Sequence, residues 1–174
     1  MIPETEPNWE DPQIVPDWID LGRASLRYVH IAARGRVGGP PLVLLHEMGG
    51  TLETWDRTLP LLAASHQVLA YDWRGAGQSE RIQGEVTLSD HAGDLLALLD
   101  ALGIGEKAVI AGCAVGGAIA AGFAAAHPDR VAGLVLMSPA LEVPSEARED
   151  RLASIADFVR GGMRAAVESS LSHG

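Results

Sequence analysis

The stretch that most restricts what this chain can fold into runs from Ala108 to Ala126. Ala108-Val109-Ile110 is a short apolar run, Ala111-Gly112-Cys113-Ala114-Val115-Gly116-Gly117 is almost wholly small, and Ala118 to Ala126 reads as a small-residue helix. A buried strand that turns at once into a helix brings two backbones nearly into contact, so small residues are required on both sides of the bend. With Ala114 at the apex, the flanking small positions are Gly112 and Gly116, with Gly117 behind them. Placing Cys113 at the apex instead puts Val115 where a glycine-like residue is needed. The sequence therefore predicts a sharp strand–turn–helix bend with alanine at its outermost point.

The rest of the chain sets the frame for that bend. At 174 residues it is long enough for one domain with a real core, and 47% apolar with 21% charged residues is the balance of a globular protein. A formal net charge of −10 argues against nucleic acid and anionic membranes as partners, since both recruit basic patches. A single cysteine, Cys113, excludes an internal disulfide framework and suits a reducing cytoplasm. Met1 to Asp20 is acidic and proline-bearing, unlike a signal peptide, and no apolar run approaches the roughly 20 residues of a membrane span. A soluble, cytoplasmic protein is expected.

Taken in order, residues 1–16 read as a loosely held arm. Trp18 to Leu21 and Ser25 to Ala33 read as an antiparallel hairpin turned at Gly22-Arg23-Ala24, with His30 a strand residue whose ring is satisfied. Leu42-Val43-Leu44-Leu45 is an uninterrupted apolar run of the kind buried on both faces of a parallel sheet. It ends in His46-Glu47-Met48-Gly49-Gly50, where glycines allow backbone N–H groups to face a ligand. Thr51 to Ala64 reads as a helix with Leu52, Trp55, Leu59 and Leu62 on one side and Pro60 within it. Val68 to Tyr71 is a further strand, running into the turn Asp72-Trp73-Arg74-Gly75-Ala76-Gly77-Gln78-Ser79. Asp72 and Arg74 read there as braces of the loop rather than as a catalytic acid and an anion clamp.

Thr87 to Leu102 carries the clearest helix signal, with Thr87 as N-cap, Asp90 three residues on and Gly103 after the end. Leu88, His91, Leu95, Leu98, Leu99 and Leu102 form its apolar stripe, and His91 reads as structural. Val131 to Met137 is expected as a fourth buried strand. From Ser145 the chain becomes charged and helical in pattern, as a cap laid over a sheet would be. The fold class expected is thus α/β, a mostly parallel sheet with helices on both faces over residues 17–142, followed by the start of a helical lid over 143–174.

Four stretches together resemble the α/β-hydrolase fold family. They are Leu44-Leu45-His46-Glu47-Met48-Gly49-Gly50, Tyr71 through Ser79, Gly112-Cys113-Ala114-Val115-Gly116-Gly117, and Ala126-His127-Pro128-Asp129-Arg130-Val131. Each stands at a strand–helix junction, in the family's order, and they cover about residues 18 to 142. The likeness is greatest to small bacterial enol-lactonases, esterases and carbon–carbon bond hydrolases. The resemblance implies that the bend is a nucleophile elbow, whose apex is normally serine. It puts the nucleophile at Ala114 and oxyanion-hole amides at Val115 and Met48, each such donor worth on the order of 3 kcal/mol. It puts His46, Glu47 and Gly49 at the substrate-binding loop, with His46 matching the family's normally structural histidine rather than its general base and Glu47 where relatives usually carry glycine. No metal and no organic cofactor are implied: no His/Cys/carboxylate cluster has ligand spacing, and the glycine-rich loops lack a P-loop lysine or a dinucleotide fingerprint.

Two departures qualify the resemblance. A methyl group at Ala114 cannot attack a carbonyl, and loss of a serine nucleophile costs about a million-fold in rate. The family's acid and histidine follow the elbow at later strands, and neither Glu142 nor His173 is suitably placed. The core is expected to be incomplete in this chain, with a second polypeptide supplying the later strands. The preferred reading is a serine hydrolase of a small carbonyl compound in an inactive, serine-to-alanine form. A non-catalytic relative that binds a small ligand for sensing or partner recruitment is the alternative, and Cys113 as nucleophile is disfavoured by its flanks.

Overall fold

A computed structural model describes residues 14–34 and 38–141 of the protein. Most of the expected arm, the whole of the expected lid, and Glu142 and His173 lie outside the described residues. Two compact units divide the chain, Met1–Ala140 and Leu141–Gly174, and the fold described here is that of the first.

Six strands form one mixed sheet in the order β1-β2-β4-β3-β5-β6. β1 (Asp17–Asp20) and β2 (Ser25–Ile31) make the expected antiparallel hairpin, and β2 lies antiparallel to β4 (Val68–Tyr71). From β4 onward all pairings are parallel: β3 (Leu42–Leu45) with β4 and with β5 (Ala108–Cys113), and β5 with β6 (Val131–Met137). Parallel neighbours need crossovers, and helices supply them.

The period-2 alternation of the central strands separates two cores, one on each face of the sheet. Val43, Leu45, Leu69, Tyr71 and Ile110 meet α2 (Leu88–Ala101) and α3 (Val115–Ala126) through Leu95, Leu98, Leu99, Ile119 and Phe123. Leu44, Val68 and Ala70 point the other way, onto Leu52, Trp55, Leu59 and Ala63. That second cover is not the single helix expected over Thr51–Ala64. A 3₁₀ turn (Leu52–Trp55) is followed by a short α1 (Leu59–Ala63), because Pro60 fits only the first turn of a helix.

α2 begins as its sequence requires. The Thr87 hydroxyl accepts from the Asp90 N–H at 3.2 Å, the Asp90 carboxylate accepts from the Thr87 N–H at 2.9 Å, and Gly103 at φ +69° ends the segment. Its stripe is corrected at Leu88, and a residue outside the stripe, Asp94, joins the buried face. Leu88, in the first turn, is 48% exposed, while Asp94 is fully buried.

The two edges of the described sheet differ in character. β1 is four residues long, with an aspartate at each end, which is how natural edges discourage pairing. β6 is seven residues long, and Leu134, Val135, Leu136 and Met137 are 37–48% exposed. Since successive residues face opposite sides, among the described residues both faces of β6 over Leu134–Met137 are open, as an incomplete core implies. Its composition is that of an interior strand and its position in the described sheet is that of an edge. In light scattering, the 174-residue chain is expected to self-associate, and Val135→Lys to reduce that association without altering the far-UV spectrum.

Candidate active site

Ala114 stands between the last residue of β5 and the first of α3, at φ 49° and ψ −111°, outside the main allowed regions for a residue with a side chain. Such backbone strain is of order 1–3 kcal/mol and persists only where the surroundings impose it. Here the surroundings are backbone hydrogen bonds. The Ala114 N–H donates to the Met137 carbonyl (3.0 Å), and the Ala114 carbonyl accepts from the Ala140 N–H (2.9 Å) and from the Ala118 N–H (3.2 Å). Cys113 is the final strand residue, paired in register with Met137, and is not the apex.

The small flanks are used as the bend requires. A Cβ on Gly112 would overlap the Gly116 carbonyl and the Gly117 nitrogen, and one on Gly116 would overlap the carbonyl oxygens of Leu45 and His46. Gly116 is thus where the elbow helix touches the end of β3, and it brings the apex beside the His46–Gly50 loop. No side chain caps α3, so none occupies its first-turn N–H groups, that of Val115 among them.

The loop itself is a tight turn. The Gly50 N–H donates to the Glu47 carbonyl at 3.1 Å, with Gly49 at φ +80°, a conformation open to glycine. Met48, at the outside of the turn, is 69% exposed. Glu47 leans back over Gly50 and accepts from the Thr54 hydroxyl at 3.2 Å. His46, expected among the substrate-binding groups, is fully buried. Its ring is stacked on Trp73 at 5.2 Å between centroids and bonded through Nδ1 to the Glu47 carbonyl at 2.7 Å. Burial holds its pKa below the ordinary histidine value, only partly offset by that bond and by the charges of Asp72, Glu47 and Glu53.

Beneath the loop lies Asp72, fully buried, whose carboxylate accepts from the N–H groups of Leu52 (2.6 Å) and Gln78 (2.9 Å) and from Arg27 (3.4 Å). Arg27 also pairs with Glu53 at 2.5 Å. Burial alone would raise the Glu53 pKa, but hydrogen bonds from Arg27 and Thr51, with the Arg27 charge, bring it from 4.5 to about 2. Arg74 forks onto Asp94 through Nε (2.9 Å) and Nη2 (2.5 Å), and Arg23 joins the same carboxylate at 2.8 Å. Asp72 and Arg74 are therefore braces, as expected. Their partners Arg27, Glu53 and Asp94 carry no motif; an aspartate inside the α2 stripe was the one available signal for Asp94. The His30 ring is satisfied as expected, accepting from the side-chain amide of Gln67, just before β4, at 2.7 Å, and His91 lies edge-on to Trp73 at 5.4 Å. Among the described residues no cluster of three or more His, Cys, Asp or Glu is arranged to hold a metal, and no helix is long and apolar enough to cross a membrane.

A strained apex between a parallel strand and a helix, beside a glycine turn at the end of the adjacent strand, is matched by the sequence model described as alpha/beta hydrolase fold, over residues 40–169. The chain belongs to the α/β-hydrolase fold family. Among its relatives in this family is the dihydrolipoyllysine-residue acetyltransferase component of the acetoin cleaving system of Pseudomonas putida, 39% identical over 72% of this chain and 33% of that protein. Epoxide hydrolase B of Mycobacterium tuberculosis is 39% identical over 58% of this chain and 29% of its own. The solved enol-lactonase from Burkholderia xenovorans LB400 superposes with a TM-score of 0.79 at 29% identity, over 89% of this chain and 58% of that one. The chain thus spans about a third of the length of these curated relatives.

Gly116→Ala is expected to destabilise the protein by about 1–3 kcal/mol in urea denaturation, because backbone carbonyls cannot yield to the added methyl. The Glu53 pKa is depressed on folding, so its contribution to stability is full above about 4.5 and is lost as pH falls toward about 2. Glu53→Gln should therefore flatten the stability profile across that window and leave the profile above it unchanged in shape, measured as urea midpoints against pH.

Proposed function

We propose that the complete protein is a hydrolase that cleaves a small carbonyl compound (an ester, lactone, amide or carbon–carbon bond) by acyl transfer to a serine at position 114, and that the chain with Ala114 is its inactive form. The observation that carries this reading is the Ala114 backbone. A strained conformation that projects a side chain outward at the carboxyl edge of the sheet benefits a nucleophile and gives nothing to a methyl group. The neighbouring features support it: the close-packed elbow, the uncapped first turn of α3, and the exposed turn at Met48. The relatives include proteins named as an epoxide hydrolase and an enol-lactonase, which favours hydrolysis as the reaction class.

In the proposed mechanism the serine oxygen attacks the substrate carbonyl while an imidazole, oriented by a carboxylate, takes its proton. The N–H groups of Met48 and Val115 stabilise the tetrahedral oxyanion, and water releases the acyl group. Glu47 and Gly49 form the loop at the mouth of the site. The acid and the histidine come from a segment beyond the described residues, and the same segment, on this chain or on a second one, supplies strands that cover β6. The single thiol fits a reducing compartment such as the cytoplasm.

Alanine at the apex also suits a second reading, a ligand-binding relative without catalysis, and one experiment separates the two. In the full-length polypeptide, Ala114→Ser is expected to label stoichiometrically with a fluorophosphonate and to hydrolyse activated esters about a million-fold faster than the Ala114 form. A protein that folds yet neither labels nor turns over excludes acyl transfer at this position.

A further inference from the structure

Among the described residues two that are not glycine have a positive φ, and they are neighbours. Ala114 is one. The other is Ser138, at φ +46°, directly after the last residue of β6. Cys113 pairs in register with Met137, so Ser138 stands beside the apex, about one strand spacing (~5 Å) away between Cα atoms.

The ladder itself imposes this conformation. The Met137 carbonyl accepts from the Ala114 N–H at 3.0 Å, and regular parallel pairing would draw the next bond from the residue after Ser138. That residue is Pro139, which has no N–H to donate. The Ala114 carbonyl is met by the Ala140 N–H instead, at 2.9 Å. One extra residue is thus taken up at Ser138 and Pro139, in the manner of a bulge, a device that re-aims side chains next to active sites. Pro139 is held in turn against the first turn of α3, where a Cβ on Gly117 would lie 2.9 Å from the Pro139 Cβ. Ser138 is therefore fixed on both sides while its own side chain is left free. The residue is exposed, and its hydroxyl has no partner among the described residues. Glycine would adopt this φ at little cost, yet a hydroxyl-bearing residue stands here, beside an apex that carries none.

We propose that Ser138 is a specificity-determining residue whose hydroxyl hydrogen-bonds a second oxygen of the substrate, a carbonyl compound with a hydroxyl or keto oxygen about three bonds from its reacting carbon. The strand spacing sets the class. With the reacting carbon held over residue 114, a side chain one strand away reaches a group roughly two or three bonds farther along the substrate. A serine hydroxyl both donates and accepts, so either kind of oxygen suits it. The proposal rests on the acyl-transfer reading for the identity of the reacting carbon, but recognition of such a ligand by Ser138 belongs to the chain with Ala114 as well.

The test uses the full-length polypeptide with Ala114→Ser and two activated esters of nearly the same shape, 4-nitrophenyl 3-hydroxybutanoate and 4-nitrophenyl 3-methylbutanoate. Loss of one neutral hydrogen bond costs about three- to tenfold. Ser138→Ala keeps a Cβ at the same backbone position, and should lower the ratio of kcat/KM for the hydroxy ester to that for the methyl ester by that factor. Ser138→Gly should lower the ratio equally while raising the urea midpoint, so that the loss cannot be ascribed to a weakened fold. A ratio unmoved in either variant, or an equal loss on both esters, overturns the proposal. If Ala114→Ser takes up no fluorophosphonate, the acyl-transfer reading falls, and the proposal is decided on the full-length chain with Ala114 by NMR titration with methyl 3-hydroxybutanoate and methyl 3-methylbutanoate. There Ser138→Ala should weaken binding of the hydroxy ester, and of that ester alone, by about three- to tenfold. Binding indifferent to the substitution, an equal loss for both esters, or no binding of the hydroxy ester overturns it.

Discussion

The contact on which the site depends is between two pieces of backbone. Gly116, in the first turn of α3, rests against the carbonyl oxygens of Leu45 and His46 at the end of β3. No residue with a side chain can make that approach, so the helix, the strained apex at Ala114 and the turn at Glu47–Gly50 hold their places together. Hydrogen bonds from Ala114 to Met137 and from Ala140 to Ala114 extend the arrangement to the end of β6. Three adjacent parallel strands thus deliver their carboxyl ends to one place, the side of an α/β sheet on which ligands bind.

Beneath this arrangement the protein buries charge, and its buried carboxylates are bonded. Asp72 is inaccessible to solvent, and an unpaired carboxylate there would be expensive. Two backbone amides and Arg27 satisfy it and tie together the 3₁₀ turn, the 72–79 turn and β2. Asp94 does the same for α2 through Arg74 and Arg23. The benefit of such networks lies less in net stability than in fixing one register of the loops above them. The ring of His46 stacks on Trp73 and is bonded to the Glu47 carbonyl of the turn above.

Local chemistry could be read directly from residue order wherever it depended on near neighbours. The Thr87–Asp90 cap, the hairpin turned at Gly22, the two-faced apolar strands and the small-residue bend all follow from contacts within a few positions. Pro60 fits only the first turn of a helix, so a 3₁₀ turn and a short helix stand where one helix is expected. Leu88 is exposed because helix periodicity gives the stripe but not which neighbour covers its ends. The pairing of Arg27 with Glu53 and Asp72 spans 26 and 45 residues, and no spacing rule reaches that far.

What the sequence by itself determined is the α/β alternation, the family and the position of the bend with alanine at its apex, because these follow from periodicity, small-residue spacing and the absence of a hydroxyl. Tertiary structure alone decided that Ala114 is held at a positive φ, that the His46 ring stacks on Trp73, and that Asp94 is buried against Arg74 and Arg23. The reason is physical: periodicity assigns a side chain to a face, whereas orientation, burial and strain depend on which distant backbone comes to lie against that face.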